Sequence, residues 1–190
     1  MLPEGVVIEP YLNRSELVHR NMATVIRNLI EGALIVFLVL IVFLGDVRAG
    51  LITASVIPLA MLFGFIMMRI FGVSANLMSL GAIDFGIVVD GSIVILEGIM
   101  AHLYVKERAG QTIPREAMGS EVEKGASKVV SSASFAVLII LLVFCPILAL
   151  SGIEGKYFTP MAKSLVFCII GAFILSLTYV PMMASLCMKR

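Results

Sequence analysis

Three acidic residues, Asp84, Asp90 and Glu97, stand in the run 81–97, whose other residues are apolar or small. A charged side chain at the centre of a membrane helix costs at least ~2.5–3.5 kcal/mol on insertion scales, so three in one span point to a proton or ion pathway. A carboxyl group desolvated between helices takes up and releases a proton near neutral pH. Its neutral and ionised forms pack differently, which gives neighbouring helices a reason to shift. At ~100° per residue, Asp90 and Glu97 lie on nearly one face, ~10 Å apart along the axis. Asp84, six residues before Asp90, points roughly 120° away from it. Gly81, Gly86, Gly91 and Ser92 keep the helix slim and permit close backbone approach. The alternative is a set of static ion pairs with Lys or Arg on other helices, favoured most at Glu97, which is expected near the end where water or Arg48 could meet it. No basic residue occurs mid-span, so a partner for Asp90 has to come from outside this sequence.

A catalytic metal centre is disfavoured. The spacing of Asp84 and Asp90 misses the i, i+3/i+4 geometry that sets two ligands on one helix face, and His102 follows the span while His19 lies in the tail. No metal ligand set and no cofactor is assigned. Twelve Met residues, among them Met61, Met67, Met68 and Met78, invite a soft-metal path, but Met is also an ordinary filler of apolar helices, and that reading is favoured.

The elements that must position these acids follow from composition. Of 190 residues, 60% are hydrophobic and none is Trp, with a mean hydropathy of +1.07. That places the chain among integral membrane proteins of all-α class. The net charge of +1 gives no argument for nucleic acid. Cys145, Cys168 and Cys187 are odd in number and scattered in apolar stretches, and they read as small buried hydrophobes.

Five apolar segments, at about 27–44, 51–70, 77–101, 129–150 and 162–186, each approach the ~20 residues of a spanning helix. Pro58, Pro146 and Pro181 fall inside them and read as kinks. Ser74 is the expected N-cap of the third. The longest connection, 102–128, carries Lys106, Arg108, Arg115, Lys124 and Lys128. Ile113, Ala117, Met118 and Val122 in it predict a short amphipathic helix along the membrane interface, with the mixed charges forming a solvated face. Basic residues favour a cytoplasmic location for 102–128, opposed by Arg69, Lys156 and Lys163 and by the Arg14, Arg20 and Arg27 tail on the other side. That orientation puts residues 1–26 outside with no visible signal to send them there, so an upstream span is expected. Residues 6–11 read as a short strand from an extramembrane domain, followed by a helical run capped by Asn13.

The run 84–97 closely resembles the fourth transmembrane helix of heavy-metal efflux pumps of the resistance–nodulation–division superfamily. Leu2-Pro3-Glu4-Gly5 with residues 14–18 resembles the end of their periplasmic porter region. Asn28-Leu29-Ile30-Glu31-Gly32-Ala33 resembles the start of the second helix, and residues 56–60 the third. Gly152-Ile153-Glu154-Gly155-Lys156 with Pro160-Met161-Ala162 resembles the link between the fifth and sixth. The resemblance implies an arrangement of the chain in four parts. Residues 1–26 end the periplasmic α/β porter region, 27–101 form transmembrane helices two to four, 102–128 a cytoplasmic loop, and 129–190 helices five and six of twelve. It further implies a proton antiporter of the bacterial inner membrane, a homotrimer working with a periplasmic adaptor and an outer-membrane channel, and a proton relay through Asp84, Asp90 and Glu97. The Asp84-Phe85-Gly86 form is the one that pumps for zinc, cobalt, cadmium or nickel tend to carry, whereas copper and silver pumps tend to lack the first acid. Gly98 departs from the family pattern, which often has Asn after the glutamate.

Rival readings are a copper or silver pump, a multidrug pump, a sterol- or lipid-sensing five-helix module, and a truncated product without activity. Multidrug pumps typically carry adjacent acids on this helix, whereas Asp90 is followed by Gly91. A sensing module would not need Asp84 and Asp90 together. Residues 1–190 by themselves, with half of such a bundle, are expected to be inactive.

Overall fold

The computed structural model describes residues 14–73, 84–110, 114 and 117–188. The expected strand over 6–11 and the Ser74 cap lie outside these residues. Among these residues, five helices follow one another: α1 (Arg14–Leu44), α2 (Val47–Ile70), α3 (Phe85–Arg108), α4 (Met118–Leu148) and α5 (Gly152–Cys187). All five contain a stretch long and apolar enough to cross a membrane, so the fold is an all-α membrane bundle.

The helices are longer than the apolar segments that seed them. The tail helix expected after Asn13 and the span expected from 27 form one helix, α1, whose polar part is braced by Arg20–Glu16 (2.6 Å) and Arg27–Glu31 (2.7 Å) at i, i+4 spacing. Similarly, α4 begins at Met118 rather than near 129. Met118 and Val122 are buried in the bundle, so from Met118 onward the expected surface helix is the first part of α4. At 1.5 Å per residue, 31 residues reach ~46 Å, well beyond a ~30 Å hydrocarbon layer. The polar first turns of α4 therefore project from the apolar part that starts near 129.

Helix ends fall where the backbone demands. Gly45, Gly72, Gly110 and Gly152 have φ between 64° and 78°, a region that L side chains rarely adopt. Asp46 caps α2 by accepting from the Arg48 amide at 2.9 Å. Pro58, Pro146 and Pro181 each sit within a helix that continues past them.

α5 is the centre of the bundle and packs against α2, α3 and α4, while α1 lies at the edge against α2 and part of α3. Small residues set how closely the axes approach. A Cβ at Gly64 would run into Sγ of Cys168, and one at Gly171 into the Phe63 ring, so α2 and α5 meet almost backbone to backbone. Ser55 and Tyr179 hydroxyls join the same two helices at 3.0 Å. Buried Thr53, Ser164 and Ser176 return their hydroxyls to carbonyls three or four residues earlier. Cys168 is buried as expected, but Cys145 is exposed on the outer side of α4.

Candidate functional site

α3 divides lengthwise into two faces. Val88, Val89, Ser92, Ile95, Leu96 and Ile99 are buried against the other helices. Asp90, Val94, Glu97, Ala101 and Val105 are exposed along the opposite side, at the i, i+4, i+7 recurrence of one helical face. Asp90 and Glu97 thus share a face, as their spacing predicts. That face is left open by the five helices.

Asp84 stands apart from this stripe. It is the N-cap of α3, not a residue of its interior, with φ −91° and ψ 114° and its Oδ1 accepting from the Gly86 amide at 2.9 Å. A carboxylate suits that position, where unpaired amides and the helix dipole favour negative charge. Asp84 also borders a groove of about 350 Å³ between α1 and α3, with Asn28, Leu29, Gly32, Val36 and Phe85 in its walls. Phe85 fills the space over Gly32, where a Cβ would come within 3.4 Å of its ring.

Among the described residues, none of Asp84, Asp90 and Glu97 forms an ion pair. Arg48, considered as a partner for Glu97, instead donates from Nη1 to the Cys187 carbonyl at 3.3 Å and ties α2 to the end of α5. No group of three or more His, Cys, Asp and Glu among the described residues is arranged to hold a metal ion. Two residues beyond Asp90, on the buried side, the Ser92 hydroxyl has no hydrogen-bond partner among the described residues.

Two features beside the acids escape a reading of the sequence. The first is the seat of Gly98, directly after Glu97. A Cβ there would lie 2.6 and 2.8 Å from the two methyls of Val129 on α4. One turn on, a Cβ at Gly125 would lie 2.9 Å from the Ile99 Cα. The two helices cross so closely that the Asn of the family pattern has no room at 98. The Gly98 departure is the only signal of this in the sequence, and it has no meaning until Val129 is placed opposite.

The second feature is a charge cluster at the end of α3 remote from Asp84. Glu121, in the first turn of α4, is only 6% exposed. Its Oε2 accepts from Lys106 Nζ at 2.6 Å and from His102 Nε2 at 2.9 Å, and its Oε1 accepts from Lys124 Nζ at 2.9 Å. On the projecting polar turns outside the apolar stretch, these contacts with Lys106, Lys124 and His102 hold the Glu121 carboxyl down to about 2. Lys128 Nζ reaches Nδ1 of the same histidine at 3.1 Å. The expectation that the charges of 102–128 form a solvated face therefore fails at Glu121. The i, i+4 pair His102 and Lys106 was the available sign of a common target.

All 190 residues match the model of the AcrB/AcrD/AcrF family. The cobalt-zinc-cadmium resistance protein CzcA of Cupriavidus metallidurans is 47% identical over 186 residues, covering 97% of this chain and 18% of the relative. The nickel and cobalt resistance protein CnrA of the same species is 43% identical over 190 residues, covering 100% and 18%. The cation efflux system protein CusA of Escherichia coli K12 is 34% identical over 188 residues, covering 96% and 18%. The chain thus spans less than a fifth of the length of these relatives. A crystal structure of a heavy metal efflux pump superposes with a TM-score of 0.79 at 39% identity, over 95% of this chain and 17% of that one. With the acids of α3 placed on a five-helix membrane bundle and every residue matched, the chain belongs to the AcrB/AcrD/AcrF family, on the heavy-metal branch of the resistance–nodulation–division superfamily.

Proposed function

We propose that this chain is the relay-bearing part of a proton-driven pump that exports divalent heavy-metal cations across a bacterial inner membrane. The observation that carries the reading is the open face of α3. Asp90 and Glu97 lie there on an otherwise apolar helix, and no side chain of the described residues pairs with either. A carboxylate at that depth needs a partner or a proton. A helix from beyond these 190 residues packs on this face and brings a basic group to Asp90. Protonation of Asp90 removes the need for that ion pair, and the two helices then shift against each other. Asp84, on the outer side, receives protons first, and Glu97 passes them toward the other side.

The working assembly is a homotrimer with a periplasmic adaptor and an outer-membrane channel, set in membrane lipid. The metal cation is its cargo, captured in the extramembrane region. Similarity to the cobalt-zinc-cadmium and nickel-cobalt resistance proteins at 43–47% identity, against 34% for CusA, supports a divalent cargo over copper or silver. The presence of Asp84 supports the same choice.

The test is growth. A full-length pump carrying this segment, expressed in efflux-deficient bacteria, should confer resistance to zinc, cobalt, cadmium or nickel, and Asp90→Asn should abolish it with the protein still in the membrane. Resistance to copper alone would overturn the divalent assignment, and resistance that survives Asp90→Asn would overturn the relay.

A further inference from the structure

The cluster at the remote end of α3 is used by nothing in the relay, yet it sets one histidine between a carboxylate and an ammonium. Lys128 offers only hydrogens, so Nδ1 of His102 must accept from it at 3.1 Å. The ring proton is then on Nε2, donated to Glu121 Oε2 at 2.9 Å. This geometry exists only for the neutral imidazole. The imidazolium carries N–H on both nitrogens, and its Nδ1–H would point at an ammonium.

The groups facing His102 can be named helix by helix. α3 contributes Lys106, and α4 contributes Glu121, Lys124 and Lys128. α2 brings Arg48 to this end of the bundle, but it is turned to the Cys187 carbonyl. The charged residues of α5, Glu154, Lys156 and Lys163, lie in its first turns at the other end, and Lys189 and Arg190 fall outside the described residues. Glu121 therefore remains the anion that holds two cations and the ring.

Position makes this consequential. Lys128 is followed by Val129, whose methyls occupy the space over Gly98, and Gly98 follows Glu97. Loss of the Lys128 contact removes the side-chain tie between α3 and α4 nearest to where α4 presses on the relay helix, while the Lys106–Glu121 pair one turn on remains. We propose that His102 is a pH-sensitive positioning residue: neutral, it latches Lys128 and so clamps α4 onto α3 beside Glu97; protonated, it releases Lys128 and loosens that contact. The proposal rests on the efflux reading and adds to it a control by pH on the side of the membrane opposite Asp84. Acid on that side slows the pump.

Two measurements on the full-length pump carrying this segment separate the latch from the efflux reading. The first follows His102 alone, by deuterium exchange at its imidazole C2 across pH 5–9 with peptide mass spectrometry. Lys128→Met, which removes an ammonium from beside the ring, should raise the titration midpoint of His102 by about one unit, and Glu121→Gln should lower it by a similar amount. An unmoved midpoint in Lys128→Met would refute the contact on which the latch depends. The second is zinc uptake into inverted vesicles, taken at each bath pH as a ratio to the parent so that the driving force cancels. His102→Gln and Lys128→Met should each raise that ratio severalfold between pH 8 and pH 5.5, and the double variant should do no more than either. A ratio that is constant with pH would reduce His102 to a structural role and overturn the proposal. Midpoints that shift as stated in a pump that moves no metal would leave the latch standing and refute the efflux reading instead.

Discussion

Substitution of Gly98 puts the close crossing of α3 and α4 to a quantitative test. A Cβ at 98 would lie 2.6, 2.8 and 3.3 Å from three carbons of Val129, whereas carbon–carbon contacts settle at ~3.5–4.0 Å. Either the helices part locally by about 1 Å or Val129 leaves its rotamer, and overpacking of this kind costs ~1–3 kcal/mol. Against this, Ala in place of Gly inside a helix gains roughly 0.5–1 kcal/mol. Packing wins, and Gly98→Ala should destabilise the protein by about 1–2 kcal/mol. Gly98→Asn, with a larger side chain and lower helix propensity, should cost more. Val129→Ala removes both methyls that the new Cβ meets, so Gly98→Ala/Val129→Ala should be more stable than Gly98→Ala alone. The assay is the fraction of full-length pump that stays folded after graded heating in detergent, read by size exclusion. The expected order of midpoints is parent, double variant, Gly98→Ala, Gly98→Asn. A Gly98→Ala midpoint at or above the parent would refute the argument, because it would mean that the contact has slack and propensity decides.

Asp84→Asn and Asp84→Ala separate charge from capping. Asn caps a helix about as well as Asp, whereas Ala costs ~1 kcal/mol, so both variants should lose divalent efflux while only Ala lowers the heating midpoint. Equal midpoints would count against the bond to the Gly86 amide. Ser92→Ala should be neutral or slightly stabilising, since the hydroxyl it removes is buried without a partner among the described residues; a loss above about 1 kcal/mol would mean that this hydroxyl has an essential partner beyond the five helices. Gly64→Val should prevent α2 and α5 from closing over Cys168, leaving little folded protein in the membrane. Normal yield of that variant on immunoblot would contradict the contact.

Much of this architecture is legible in the residues because bilayer crossing is a demand of length and apolarity, and five segments meet it. The shared face of Asp90 and Glu97 follows from helical geometry alone. Helix lengths were less legible. Apolarity marks where lipid ends, not where a helix does, so in the sequence the polar turns of α1 and α4 look like separate pieces. Asp84 looked like an interior residue because the residues before it are as apolar as those after it. Glu121 and Val129 could not be found from periodicity, since what matters is the partner each meets on another helix: a histidine and two lysines for one, the bare backbone of Gly98 for the other.

Under the proposed mechanism, protonation of the acids on α3 drives metal movement. Inverted vesicles containing the full-length pump with this segment, energised to an acidic interior and carrying a pH-sensitive dye, report that coupling. Added zinc should release protons from the interior in the parent and not in Asp90→Asn. Zinc-dependent proton release that persists in Asp90→Asn, or zinc transport in the parent without proton movement, would contradict the account.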